Sequence, residues 1–172
     1  MCHNDVMREK EIKITKYYNV LFPIWMLIWL PSPLWLILIP ANYLIDSFVL
    51  RCSLPKEMDC KSFCKKHGTK ICIAGFVADL IGSIILFAAM LLAGENYELA
   101  NGLNMNPFKD LLTFSIVAFA VFVSALMIYF LDLRILTKAG LETSQARRSA
   151  LYLAIFTAPY LFFFPSKYLY RY

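Results

Sequence analysis

Charge is scarce in this chain, histidine is scarcer, and long stretches carry no ionisable side chain. Charged residues fill 17% of the 172 positions and hydrophobic ones 60%, against roughly 25% and 45–50% in soluble domains. That balance excludes a water-soluble fold, which would expose too much apolar surface. It equally excludes a disordered chain, which is rich in charge and poor in apolar residues. His3 and His67 are the only histidines, so a multi-histidine metal site or a haem pair between helices is excluded. The sequence has no Gly-rich phosphate loop, H-E-x-x-H, G-x-S-x-G or C-x-x-C, the patterns that announce common catalytic chemistry. An enzyme is therefore the least favoured class, and no cofactor is implied.

What the chain does have is four long apolar blocks. No charge falls among the 29 residues between Lys16 and Asp46, and Asp79 is the only one among the 24 between Lys70 and Glu95. The stretches between Asp110 and Asp132, and between Arg148 and Lys167, are charge-free. A spanning helix needs about 20 mostly apolar residues, so the expected fold is an all-α, polytopic membrane bundle forming a single domain. The first block is too long for one pass. Pro31-Ser32-Pro33 at its middle reads as a turn, because proline removes a donor and keeps the residue before it out of the helical region.

Basic residues arbitrate the span count, since short cytoplasmic loops collect Lys and Arg. With a turn at 31–33 there are five spans, roughly 13–30, 33–50, 70–94, 107–133 and 147–165. One side then holds 14 of the 17 Lys and Arg: the N-terminal segment, the 51–69 loop with Lys70 at its edge, and the 134–148 loop. Only Lys109, Lys167 and Arg171 face the other way. A single first span would divide them 7 to 10, which selects no orientation. The expectation is five transmembrane helices with the N-terminus cytoplasmic, in a plasma (inner) membrane. No small-residue cleavage site follows the first apolar run, so no cleavable signal peptide is expected.

Finer signals place the ends. Asn106-Pro107 reads as the start of the fourth helix, and Gly140 as its stop. Gly94 closes the third helix, Thr143 or Ser144 caps the fifth, and 95–106 is the external loop. Pro23, Pro40 and Pro159 fall inside expected helices and predict kinks. Tyr17, Tyr18, Trp29, Trp35, Tyr168, Tyr170 and Tyr172 sit near the expected interfaces, as an aromatic belt does.

Four of the five cysteines lie in or beside the 51–69 loop. There Ser53 and Pro55 can start a short amphipathic helix that Gly68 ends. Cys60, Cys64 and His67 share one face of it and are donors of the kind zinc accepts, although the spacing matches no established finger. The competing reading is an interfacial helix whose Cys/Phe face lies on the bundle or on headgroups. Lys65, Lys66, Arg147 and Arg148 form a basic patch suited to anionic lipid, and topology accounts for the positive charge without nucleic acid.

Ionisable groups at membrane depth are costly and often functional. Asp79 is the deepest, with Ala74, Ala78 and Gly82 recurring around it at close-packing intervals. Asp46 lies one turn from Asn42, and Asp132 follows Ala118 and Ala125 at seven-residue steps. In one reading Asp46, Asp79, Asp132 and Asn42 line an inward-facing polar cavity for a cation, a proton or a basic substrate. In the other, Asp46 and Asp132 anchor helix ends beside Arg51 and Arg134, and Asp79 is one hydrogen-bonded packing group. The functional expectation is a transport-related protein: a permease, or the membrane subunit of a transporter. The alternative is an accessory subunit whose small-residue helix faces dock another membrane protein. Both expect a bilayer and either a homo-oligomer or a membrane partner.

Overall fold

The computed structural model describes residues 23–29, 33, 35–55 and 59–168. Five α-helices follow one another: α1 (Trp35–Ser53), α2 (Cys60–Ala93), α3 (Tyr97–Met105), α4 (Leu111–Lys138) and α5 (Thr143–Phe156). Short 3-10 turns flank them at Ile24–Ile28, Tyr160–Phe163 and Ser166–Tyr168. No strand occurs among the described residues. α1, α2, α4 and α5 pack in a ring, each against the next, with α5 closing back on α1. α3 and the 3-10 turns gather at the end of the ring away from the α1–α2 junction.

α1, α2 and α4 are each long and apolar enough to cross a membrane. Their outward faces are greasy: Leu36 is 79% exposed and Phe122 60%. Their inward faces carry small and polar residues, among them Ala78, Ser83, Ala120 and Ser124. This inverts the soluble pattern and matches bundles held by close contact and hydrogen bonds within lipid. The expected first span, 13–30, and the turn at 31–33 lie largely outside the described residues. There, Pro23 precedes a 3-10 turn. Pro40 sits inside a continuous α1.

Several boundaries differ from the sequence expectation. Gly68 ends nothing: α2 runs 34 residues from an Asp59 cap to Gly94. Tyr43 and Ser47 of α1 lie over Gly68, where a β-carbon would stand 3.2 Å from the Tyr43 ring, so close packing outweighs a glycine's cost of about 1 kcal/mol in a helix. The stretch 95–106 is not simply a loop. Asn96 accepts the Leu99 amide and starts α3. α4 begins at Asp110, whose carboxylate takes the Thr113 amide, not at Asn106-Pro107. Gly94 and Gly140 do close their helices, at φ +52° and +91°, where only glycine is unstrained. α5 starts after Glu142, without a side-chain cap from Thr143 or Ser144.

The largest departure is at the fifth expected span. α5 ends at Phe156 rather than near 165, and 14 residues reach about 21 Å, short of the ~30 Å hydrocarbon core. The cause is Pro159, which has no N–H to give the carbonyl of Ile155. The Tyr160 hydroxyl donates to that oxygen instead, at 2.6 Å. The chain then continues as the 3-10 turn Tyr160–Phe163.

Candidate functional site

Two apolar clusters fill the ring. One, near the α1–α2 junction, includes Leu50, Leu54, Ile71, Ile128, Leu136 and Leu153. The other, at the α3 end, includes Trp25, Leu86, Leu103, Val117, Ala120 and Phe162. The buried carboxylates lie along the first: Asp132 sits between its members Ile128 and Leu136 on α4, Asp46 precedes Val49 and Leu50 on α1, and Asp79 follows Ala78 on α2. Asp46, Asp79 and Asp132 are buried, with 4%, 8% and 1% of their surface exposed. They come from α1, α2 and α4, with α1 and α4 both packed on α2.

Each acid has its own surroundings. Asp46 faces Gly75 of α2, where a β-carbon would meet its Oδ2 at 3.9 Å. The Thr157 side chain stands within hydrogen-bonding reach of the Asp46 carboxylate. The Thr157 hydroxyl also donates to the Leu153 carbonyl at 2.8 Å. Its one proton serves only one of these acceptors at a time. Asp79 Oδ1 and Asp132 Oδ1 are fully buried and have no hydrogen-bond partner among the described residues. Such orphaned oxygens are costly in any fold, and more so in hydrocarbon.

Asp79 and Asn42 share the wall of a cavity of about 270 Å³ between α1, α2 and the broken end of α5. Phe76, Phe156, Tyr160 and Phe162 supply most of the rest, with Thr157 and Pro159 at the break itself. Trp35 stacks on Phe76, ring centroids 6.4 Å apart. Asp46 and Asp132 do not line this cavity; they are packed into the ring.

The structure thus brings Asn42 and Asp79 to one cavity and sets Asp46 and Asp132 in the core. That corrects the expectation of anchors beside Arg51 and Arg134: among the described residues the ion pair formed is Lys109 with Glu98, on the exposed α3–α4 connection. It also corrects the stripe assigned to Asp132. Its buried companions on α4 are Val117, Ala120, Val121, Ser124 and Ile128, while Ala118 and Ala125 are only half-buried.

Cys60, Cys64 and His67 occupy successive turns at the start of α2 without forming a ligand set. Cys64 is buried with Sγ 3.8 Å from the Ser47 carbonyl, and the His67 ring packs on Phe63 at 4.7 Å. Among the described residues no three His, Cys, Asp or Glu side chains are placed to hold a metal ion. Lys65, Lys66, Arg147 and Arg148 are all exposed, and the Arg148 guanidinium lies 5.6 Å over the Tyr152 ring.

Sequence reasoning missed Thr157 and the aromatic wall. The signal was present: Thr157-Ala158-Pro159 marks a helix stop, and Phe156, Tyr160 and Phe162 flank it. In an uninterrupted helix those residues would not converge on one space. No known protein family matches the chain, and neither a curated protein nor a solved structure does.

Proposed function

We propose that this chain is a small integral membrane protein of the transport class. It binds a cation or a proton in the cavity walled by Asp79 and Asn42, with Asp46 and Asp132 as flanking acids. It acts as a permease or as the membrane subunit of a transporter, with its basic end at the cytoplasm. The observation that carries this reading is the cavity itself, because it combines an orphaned buried carboxylate with a helix broken beside it. Broken helices at membrane depth are tolerated where they line a cavity, and in transporters such breaks make binding sites. The exposed Lys65, Lys66, Arg147 and Arg148 fit an anionic cytoplasmic leaflet, in keeping with a plasma-membrane location.

The accessory-subunit reading loses its main support, since Ala74, Ala78 and Gly82 are spent on contacts inside the ring. Purified protein in vesicles tests the proposal under an imposed proton or cation gradient. The expected result is saturable flux that Asp79→Asn lowers by about 30-fold, as loss of a buried charge partner does. A normally assembled Asp79→Asn protein with unchanged flux would overturn it. So would a wild-type protein that is inert alone and co-purifies with a second polypeptide.

A further inference from the structure

Resting on that reading of the cavity as a ligand site, we infer that its ligand is an organic cation, an amine or quaternary ammonium carrying an apolar group, held by Asp79 among aromatic rings. Three features select this chemistry. The first is Asp79, which lines the cavity with 8% of its surface exposed and whose Oδ1 is buried behind that surface without a partner. A buried carboxyl group short of partners favours a donor or a positive charge beside it, and among the described residues no Lys or Arg lines this cavity.

The second is the wall. Phe76, Phe156, Tyr160 and Phe162 present π-faces or edges to the same space. Ring faces attract ammonium groups, most strongly when water is excluded. A bare alkali or divalent ion is less suited, since it requires about six oxygen ligands. Side chains here offer the Asp79 carboxylate and the Asn42 amide. Even with the Thr157 and Tyr160 hydroxyl oxygens, whose lone pairs stay free while their protons go to Leu153 and Ile155, the side-chain set falls short of that number. An ion that carries its own hydrocarbon shell needs no such cage.

The third is the end of α5. Its last turn stops at Phe156 on the cavity wall, and the C-terminal end of a helix carries partial negative charge. Carboxylate, helix end and rings therefore act on a positive group in one space. The size agrees as well: about 270 Å³ falls near the lower limit of small-molecule sites. On its outer side the cavity is bordered by Ile45, Phe156, Tyr160 and Leu161, which are themselves about half exposed. A ligand of this kind therefore reaches the site from the lipid side.

The test uses benzyltrimethylammonium and its uncharged carbon isostere, neopentylbenzene, with the full-length protein in lipid nanodiscs. Equilibrium dialysis should show saturable binding of the cation at one per chain, with the isostere at least about tenfold weaker. Asp79→Asn should weaken the cation by about 30-fold and leave the isostere unchanged. Phe76→Leu should weaken the cation by about fivefold, and it serves as the second arm if Asp79→Asn does not assemble. Equal binding of cation and isostere overturns the inference, as does cation binding that survives both substitutions. The outcomes also separate the two proposals. Asp79-dependent proton or sodium flux without binding of the organic cation defeats this inference and leaves the transport reading standing. Charge-selective binding without flux of any ion does the reverse.

Discussion

The two ends of the ring are held together by different means. At the α3 end, donors reach across the fold: Trp25 Nε1 to the Leu103 carbonyl at 3.2 Å, Trp29 Nε1 to Ser83 Oγ at 3.0 Å, and the Ile24 amide to Ser166 Oγ at 3.0 Å. Backbones approach closely there, so that a β-carbon on Gly82 would fall 2.1 Å from Ser124 Oγ and 3.2 Å from the Ala120 carbonyl. At the α1–α2 end the cross-links are long and weak, Cys64 Sγ to Ser47 O at 3.8 Å and Ser149 Oγ to Ser53 O at 3.5 Å. That end instead carries buried carboxylates, and two of them have an unpartnered oxygen. Buried atoms without a partner occur at the α3 end too, Asn104 Oδ1 and Ser124 Oγ, but an amide or a hydroxyl costs less to leave unpaired than an ionisable group, so the larger standing cost lies at the other end. Proteins accept such costs at working sites.

Substitutions at equivalent depth should expose this difference. The largest effect is expected at Gly82→Val, which must displace Ser124, Phe162 and the Ala120 backbone. Overpacking of this kind costs about 3 kcal/mol, read as a lowered melting temperature in detergent. Gly75, two turns away, has only Asp46 Oδ2 within 4 Å of its β-carbon position, at 3.9 Å. Gly75→Ala should therefore be neutral or slightly stabilising, because alanine is the better helix former. If both glycines respond alike, the contrast between the ends disappears. Next comes Trp25→Phe, which leaves the Leu103 carbonyl without its donor at about 1–3 kcal/mol.

Asp132→Leu should act in the opposite direction. Exchanging a buried, incompletely partnered acid for hydrocarbon is often stabilising, here by about 1 kcal/mol, so the melting temperature rises. In vesicles the same variant should lose flux, the pattern expected of an acid retained for activity. A fall in stability would instead mark Asp132 as a structural keystone and make the two ends alike.

The apolar blocks, the glycine stops at 94 and 140 and the inward face of Ala74, Ala78 and Gly82 were legible in the sequence, because each follows from local chemistry. The burial of Asp46 and Asp132 was not. Arg51 and Arg134 stand near them in sequence, and only the packing of α1 against α2 and of α4 into the ring shows that the acids turn inward while the arginines stay exposed. Gly68 misled for the same reason, since its tolerance depends on Tyr43, 25 positions away. Pro159 was recognised as a disturbance, but whether it kinks or ends a helix depends on what replaces the lost donor. That replacement is the Tyr160 hydroxyl.

Asp110 offers the smallest effect and the cleanest contrast with the interior acids. It is an exposed carboxylate whose oxygens are both engaged, Oδ1 by the Thr113 amide at 2.8 Å and Oδ2 by the Thr113 hydroxyl at 2.7 Å. The backbone amide of Thr113, then its hydroxyl, hold the Asp110 pKa below the usual carboxylate range. A group whose pKa is lower folded than unfolded stabilises the fold above its unfolded value, about 3.9 for Asp. That contribution fades as pH falls through the lower, folded value. Asp110→Ala should therefore lower the melting temperature modestly at pH 7, and the gap from wild type should close on acidification below about pH 4. A gap that stays constant with pH would assign the cap to shape rather than charge. Asp110 would then no longer stand as the satisfied counterpart of Asp79 and Asp132.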